Sequence, residues 1–185
     1  MSQTVAFIGL GAMGWRMAAH LPKHFDTVYV WNRNFIKAEQ HAETFGSCAV
    51  SLEQAVQADI IFSCLPTSQD VENLLAPLQP KVGSIWVDCT SGVPASAQKL
   101  QSELAVKGVQ FLDAPVSGQT IGAENATLTF MVGGNAVAFE TALPAMQAMG
   151  QWIKLVGEAG AGFAVKAVDN MMMAVRVCAA AERFT

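Results

Sequence analysis

Short, continuously apolar runs alternate along the chain with longer stretches in which apolar residues recur every three or four positions. The runs at residues 5–8 and 60–62 are typical of strands that are buried on both faces, as in a parallel sheet. The stretches between such runs have the spacing of amphipathic helices. This alternation predicts an α/β fold with a doubly wound, mostly parallel sheet.

Turn and capping residues set the boundaries of these elements. Gly46 ends the second helix, Ser51 and Gln54 form a capping box that opens a brief helix, and Ser68 is expected to cap the next helix. We predict strands at residues 5–8, 27–31, 48–50, 59–64, 84–89, 109–113, 128–132 and 152–156. We predict the longer helices at residues 12–21, 34–45, 68–75, 94–107 and 136–149. Together they predict one compact domain over residues 1–158.

Residues 159–185 predict a single long helix that leaves this domain. The helix opens at Gly160 and runs to Thr185 without a glycine cap or a proline stop. Its apolar residues lie on more than one face, and they are Val165, Val168, Met171, Met172, Met173, Val175 and Val177. Because a helix that is apolar nearly all round is expected to be buried, we expect a homo-oligomer that forms through this helix.

A glycine motif, Gly9-Leu10-Gly11-Ala12-Met13-Gly14, follows the first predicted strand and opens the first helix. In such a motif the first glycine permits the tight turn, the second lets the backbone approach a pyrophosphate, and the third lets the helix pack close to the strand. The free N–H groups of the helix face the anion. The motif in this setting predicts a Rossmann-type, dinucleotide-binding domain.

The second predicted strand ends at Asn32, Arg33 and Asn34. A domain that binds NAD usually places Asp or Glu near this point, where the carboxylate holds the ribose hydroxyls. An amide and a guanidinium suit a 2′-phosphate instead, so we predict that the cofactor is NADP(H). The alternative is a structural glycine turn with Arg33 as a solvated surface charge.

Composition excludes several classes of partner. Eleven basic and fifteen acidic residues give a net charge of −4 without a basic cluster, so we expect no nucleic acid partner. Lys166, Asp169 and Arg176 interrupt the longest apolar stretch, and each would cost roughly 2.5–3.5 kcal/mol at a bilayer centre, so we expect no membrane span. The cysteines and histidines lack the spacing of metal ligands. We interpret the four cysteines as small buried residues of a cytoplasmic protein, namely Cys48, Cys64, Cys89 and Cys178.

Polar and turn-forming residues follow several of the predicted strands, where ligands bind in such sheets. Leu65 and Pro66 follow one strand and Thr90 follows another. Ser117 lies in a turn before Gly118, and its hydroxyl and the local backbone N–H groups could bind a carboxylate. The same residues could equally form an ordinary turn.

Lys166 and Asn170 are four residues apart on the predicted long helix and therefore lie on one face. The neighbours of Lys166 are apolar, so packing of the helix would partly desolvate the ammonium and suit it to proton transfer. The alternative is that the side chain extends its ammonium to solvent, as helical lysines usually do.

In this order the motifs resemble those of the β-hydroxyacid dehydrogenases, which include 3-hydroxyisobutyrate dehydrogenase, tartronate semialdehyde reductase and glyoxylate/succinic semialdehyde reductases. The resemblance runs over essentially all 185 residues. It implies that Ser117 and Gly118 hold the carboxylate of a small aldehyde or hydroxyacid. It also implies that Lys166 is the catalytic proton donor or acceptor and that Asn170 orients the substrate and the lysine.

The resemblance further implies that Leu65, Pro66 and Thr90 lie along the cofactor. The reaction would be reversible hydride transfer between NADP(H) and a small β-hydroxyacid or semialdehyde. In that family the last helix leads into an all-α second domain that covers the active site and builds the dimer. We expect that domain to be absent here, and the chain to be a truncated member with weak activity by itself.

Two positions depart from the family pattern. Gln119 follows Gly118 where the family usually has a second glycine, so a larger side chain borders the carboxylate loop, and Ala126 stands where glycine is common. The 6-phosphogluconate dehydrogenases carry a histidine where this chain has Asp169, and imine reductases lack the lysine, so both are less favoured. A non-catalytic dinucleotide-binding or assembly module with the same fold is the alternative function.

Overall fold

The computed structural model describes residues 3–183. These residues form nine strands and eight α-helices. The strands are β1 Thr4–Ile8, β2 Thr27–Trp31, β3 Cys48–Ala49, β4 Ile60–Ser63, β5 Ile85–Asp88, β6 Gln110–Asp113, β7 Val116–Ser117, β8 Leu128–Gly134 and β9 Gly150–Gly157. The helices are α1 Ala12–Ala18, α2 Phe35–Phe45, α3 Leu52–Ala55, α4 Ser68–Leu75, α5 Pro94–Val106, α6 Gln119–Glu124, α7 Ala136–Gln147 and α8 Ala161–Glu182.

All the strands belong to one sheet in the order β3-β2-β1-β4-β5-β6-β8-β7, and β9 pairs with β8. Strands β1 to β6 are parallel, so their carboxyl ends lie at the same edge. Strand β8 runs antiparallel to β6 and β7 and parallel to β9. The predicted doubly wound, mostly parallel sheet is therefore confirmed.

The apolar runs are continuous because the sheet is covered on both faces. In β1, Val5 and Phe7 belong to the apolar cluster that includes residues of α1 and α7. Their neighbours Ala6 and Ile8 belong to the cluster that includes residues of α4 and α5. Successive side chains of one strand thus enter opposite halves of the core.

Several boundaries differ from the predicted ones. Helix α1 ends at Ala18, and Pro22 lies in a separate 3₁₀ turn at Leu21–Lys23. The prediction that Ser68 caps α4 is wrong: Thr67 is the capping residue, and its hydroxyl accepts the N–H of Asp70 at 3.2 Å. Ser68 is the first helical residue, and its hydroxyl accepts the N–H of Val93 at 2.9 Å instead.

The interpretation of all four cysteines as buried is also wrong. Cys89 is buried, Cys64 is partly buried, and Cys48 and Cys178 are exposed; all four thiols are free. Cys48 is exposed because β3 forms an edge of the sheet, and Cys178 because it lies on the outer part of α8. Among residues 3–183, no helix is long and apolar enough to cross a membrane.

Helix α8 is fixed at its start and exposed further on. The carboxylate of Asp113, at the end of β6, accepts the N–H of Gly160 at 2.7 Å and that of Phe163 at 2.9 Å. Buried α8 residues are confined to Gly162, Phe163 and Lys166 within the described chain. The predicted helix end at Thr185 lies outside the described residues.

Candidate dinucleotide and substrate site

The glycine loop has the geometry of a phosphate cradle. Gly9 has a φ of +94°, and a Cβ there would lie 2.5 Å from the carbonyl oxygen of Cys64. A Cβ on Gly14 would collide with the carbonyl oxygen of Gly9, because α1 packs closely against the loop. Gly11 differs: a Cβ there would meet no atom within 4 Å. The backbone at Gly11 is thus open on the side where a pyrophosphate would approach.

The start of α1 is equally suited to an anion. No side chain caps its N-terminus, its first turn contains no acidic residue, and Gly11 and Ala12 are exposed. Met13, the next residue of the motif, is partly buried. Helical N–H groups without a side-chain partner attract negative charge. The residues present therefore fit the pyrophosphate of a dinucleotide.

Asn32 connects this loop to the end of β2. Its side-chain oxygen accepts the N–H of Leu10 at 3.0 Å, and its side-chain nitrogen donates to the carbonyl oxygen of Asn34 at 3.0 Å. The amide thus holds the glycine loop in place. Arg33 and Asn34 are exposed, and the Arg33 guanidinium forms no ion pair within residues 3–183. Arg33 is therefore the group at this tip that is available to a phosphate.

The loops after β4 and β5 are bonded to each other. The N–H of Leu65 donates to the Thr90 hydroxyl oxygen at 3.1 Å. The N–H of Thr90 in turn donates to Oδ1 of Asp88 at 3.1 Å. Leu65 is partly buried, Pro66 is exposed and Thr90 is buried. The hydroxyl of Thr90 therefore positions the backbone beside the cradle.

Asp88 is a buried acid for which the sequence pattern indicated no role. Its Oδ1 also accepts the Ser63 hydroxyl at 2.9 Å, whereas its Oδ2 has no partner within the described chain. The sheet register places Asp113 of β6 opposite it. Burial, with a smaller contribution from the Asp113 charge, raises the pKa of Asp88 to about 6 against the hydrogen bonds from Thr90 and Ser63.

Lys166, Asp169 and Ser117 form a connected polar group. The Lys166 ammonium donates to Oδ2 of Asp169 at 2.9 Å, and the Ser117 hydroxyl donates to the same oxygen at 3.0 Å. The Lys166 side chain is only 10% exposed, so it does not extend into solvent. The hydrogen bond from Lys166, followed by that from Ser117, holds the pKa of Asp169 below its ordinary value. Asp169 is therefore ionised at neutral pH.

Asn170 does not join this group. Its side chain is exposed and forms no hydrogen bond within residues 3–183. Asp169 makes the contacts with Lys166 and Ser117 instead. The sequence contained the signal for the first of these contacts, because residues three apart on a helix are neighbours. The contact with Ser117 spans 52 residues and had no local signal.

The two departures from the family pattern have an unusual backbone. Gly118 has a φ of +133°, and Gln119 and Ala126 have φ values of +57° and +54°. Among residues 3–183, Gln119 and Ala126 are the two non-glycine residues with positive φ. The left-handed region favours glycine, so both side chains occupy positions at which the backbone prefers none.

The parallel sheet and the open glycine loop at its carboxyl edge define a dinucleotide-binding domain of the Rossmann type. Residues 4–157 match the family model described as the NAD binding domain of 6-phosphogluconate dehydrogenase. The chain belongs to the β-hydroxyacid dehydrogenase family and corresponds to the N-terminal, dinucleotide-binding domain of its members.

Two curated relatives and one solved structure show how far the similarity extends. NAD-dependent L-serine dehydrogenase of Pseudomonas aeruginosa is 41% identical over 96% of this chain and 62% of that protein. 2-(Hydroxymethyl)glutarate dehydrogenase of Eubacterium barkeri is 39% identical over 96% of this chain and 61% of that protein. The structure of Mycobacterium tuberculosis 3-hydroxyisobutyrate dehydrogenase with L-serine has a TM-score of 0.93 and 34% identity, and it covers 100% of this chain and 64% of that one. The chain thus spans less than two thirds of each.

Proposed function

We propose that this chain takes part in NADP(H)-dependent hydride transfer between a small β-hydroxyacid and its semialdehyde. The observation that carries the proposal is the buried ammonium of Lys166, which Asp169 links to the Ser117 hydroxyl. Asp113 fixes the start of the same helix at the sheet edge. An ordinary surface lysine would not be buried and bonded in this way. In this proposal residues 1–158 form the NADP-binding domain and residues 159–185 begin an interdomain helix.

The cofactor would be held by the exposed edge of the cradle. The glycine motif, residues 9–14, would contact the pyrophosphate, and Arg33 would bind a 2′-phosphate next to Asn34. The rest of the cofactor would lie along Leu65, Pro66 and Thr90. Support for NADP(H) comes from the end of β2, which offers a guanidinium and two amides and no carboxylate. The relative that acts on L-serine is named NAD-dependent, so cofactor preference is a quantity to measure.

When bound, the nicotinamide supplies the hydride-transfer chemistry. The part assigned to this chain is to bind, orient and exchange a proton. Ser117 and Gly118 bind the substrate carboxylate, and Gln119 borders that position. Lys166 stabilises the negative charge that grows on the carbonyl oxygen and protonates it, which contributes on the order of 10²–10⁴ in rate. Asn170, exposed on the same face of α8, orients the substrate.

The named relatives narrow the substrate class. L-serine, 2-(hydroxymethyl)glutarate and 3-hydroxyisobutyrate all carry a hydroxymethyl group on the carbon that bears the carboxylate. We extend this shared unit to the present chain as its substrate class. A carboxylate two bonds from the reacting carbon suits a site with one anion-binding hydroxyl and one ammonium.

Turnover tests the proposal. NADPH oxidation is measured across glyoxylate and the succinic, methylmalonic and tartronic semialdehydes, with the native chain, Lys166→Ala and the exposed-lysine control Lys154→Ala. We expect weak but measurable oxidation that Lys166→Ala lowers at least 100-fold while NADPH affinity stays nearly unchanged. Lys154→Ala keeps the native rate. Absence of turnover, or equal loss in both variants, contradicts the proposal.

One observation favours a second candidate, a non-catalytic module that binds the dinucleotide. Gln119 places a side chain at positive φ beside the proposed carboxylate loop, where a glycine would leave more room. The same assay separates the two functions, because such a module binds NADPH without oxidising it on any member of the panel.

We also propose that α8 mediates homo-oligomerisation. Its outer surface exposes seven large apolar residues, which are Val165, Val168, Met171, Met172, Met173, Val175 and Val177. An apolar surface of this kind marks an interaction site. A cytoplasmic location belongs to the same proposal, and the four free thiols are consistent with it.

A further inference from the structure

Asp169 lies between the two side chains that the proposed function assigns to the substrate. Its Oδ2 accepts hydrogen bonds from the Ser117 hydroxyl and the Lys166 ammonium at 3.0 and 2.9 Å. Its Oδ1 forms no hydrogen bond within the described chain, and 37% of the side chain is exposed. A carboxylate oxygen is therefore available to a ligand at the point where Ser117 and Lys166 meet.

The negative charge of the Asp169 carboxylate affects the binding of every charged ligand at this point. The Lys166 ammonium bonded to it, with a smaller contribution from Arg176, lowers the pKa of Asp169, so the group remains an anion at neutral pH. A substrate anion that bonds to Ser117 has to displace Oδ2 and is repelled by the carboxylate. A cationic group on the same substrate is attracted and can donate to Oδ1.

We propose that Asp169 is a specificity-determining residue that favours zwitterionic β-hydroxy-α-amino acids over β-hydroxyacids without an ammonium group. The inference rests on the proposed function, because that function places the substrate carboxylate at Ser117 and its hydroxyl at Lys166. In this arrangement the ammonium of the substrate donates to Oδ1 of Asp169. The alternative is that Asp169 only stabilises the helix through its ion pair with Lys166 at positions i and i+3. In that case Asp169 would not discriminate between the two kinds of ligand.

Serine and 3-hydroxypropionate form a matched pair of probes, because serine has an ammonium where 3-hydroxypropionate has a hydrogen. Their dissociation constants are measured by calorimetry with the full chain saturated with NADP⁺, for the native protein, Asp169→Asn and Asp26→Asn. Asp26 is an exposed residue before β2, at the opposite edge of the sheet, and it forms no hydrogen bond within residues 3–183. The control therefore makes the same substitution away from the site.

We expect the native chain to bind serine more tightly than 3-hydroxypropionate. Asp169→Asn should shift the ratio of the two dissociation constants towards 3-hydroxypropionate by about tenfold or more, the usual effect of one hydrogen bond to a charged group. Asp26→Asn should leave the ratio unchanged. An unchanged ratio in Asp169→Asn, or a native chain that binds neither compound or prefers 3-hydroxypropionate, overturns the inference.

Turnover of the two probes by the same samples separates this inference from the proposed function. Hydride transfer with an unchanged ratio overturns the role of Asp169 and leaves the dehydrogenase function in place. A shifted ratio without hydride transfer, here and across the semialdehyde panel, supports charge selection by Asp169 and overturns the dehydrogenase function.

Discussion

In the proposed function, the preference for NADP(H) over NAD(H) depends on Arg33. Its guanidinium is exposed at the end of β2, whereas the neighbouring Asn32 amide is bonded to the glycine loop. We predict that the native chain binds NADPH more tightly than NADH and that Arg33→Ala removes one to two decades of this preference, since a charged hydrogen bond contributes roughly 1.5–3 kcal/mol. Fluorescence titrations with both cofactors measure it, with Arg176→Ala as a control. Equal native affinities would show that the cofactor assignment is wrong.

Asp88 predicts a pH dependence of stability with an unusual sign. Burial raises its pKa to about 6, above its ordinary value near 4, so the folded state binds the proton more tightly than the unfolded state does. Its contribution to stability is therefore fully present below pH 4 and is lost as the pH rises through 6. The difference amounts to roughly 3 kcal/mol as an upper estimate.

Urea unfolding at pH 4.5, 6 and 8 tests this prediction. Asp88→Asn should gain stability relative to the native chain as the pH rises, because the variant has no buried carboxylate to ionise. Asp59→Asn is the control: hydrogen bonds from Lys81 at 2.6 Å and from the N–H of Thr4 at 2.9 Å lower the pKa of Asp59. Its contribution to stability is therefore lost only below about pH 4, and its profile should run parallel to that of the native chain over this range. Parallel pH profiles for native chain and Asp88→Asn would contradict the assignment.

What the sequence could predict at residue scale depends on sequence separation. The glycine cradle could be predicted, because the glycines, the strand and the helix are contiguous and each glycine has a local reason. The hydrogen bond from the Ser117 hydroxyl to Asp169 spans 52 residues, and the hydrogen bond from the N–H of Gly160 to Asp113 spans 47. No local pattern contains such pairs, so the central position of Asp169 became visible only with the fold.

At the scale of elements, the turn at Ala126 after α6 contains strain that one substitution can remove. A non-glycine residue in the left-handed region costs roughly 1–2 kcal/mol, which a glycine at this position would relieve. Glycine also raises the conformational entropy of the unfolded chain, and this offsets about 0.4–1 kcal/mol of the gain in stability. We predict that Ala126→Gly raises the melting temperature by about 2–4 °C. Calorimetry measures the melting temperature of both variants. The matched control is Ala105→Gly in exposed helical backbone, which should lower the melting temperature. Destabilisation at both sites would contradict the strain argument.

Helices and strands with strong local signals were predicted within a few residues. Strand β2 has the predicted bounds. Helix α2 begins one residue later than predicted and ends at the predicted Phe45, because Gly46 supplies the left-handed cap at a φ of +79°. The short elements β7 and α6 were not predicted. Their residues lack periodicity, and β7 exists only because it pairs with β8.

At the scale of the whole molecule, the exposed face of α8 predicts concentration-dependent association. Met171 and Val175 are 62% and 61% exposed and lie one turn apart. We predict that the double change Met171→Glu with Val175→Glu weakens self-association at least tenfold, because charges at a buried interface are costly. Sedimentation velocity over a concentration series measures it, and Val106→Glu, at an exposed apolar residue on α5, is the control. A native chain that stays monomeric at all concentrations would contradict the prediction.

Because Asp113 holds only the start of α8, the helix can act as a lever that rotates about its attached end. Its 22 residues extend for about 33 Å from the sheet edge, whereas Lys166 lies about 7 Å from the attached end. A rotation of about 5° about that end moves the far tip by about 3 Å but Lys166 by less than about 1 Å. Displacements imposed on the outer helix therefore reach the backbone of Lys166 reduced about fourfold. Contacts made far from the sheet can thus adjust the position of the lysine in small steps.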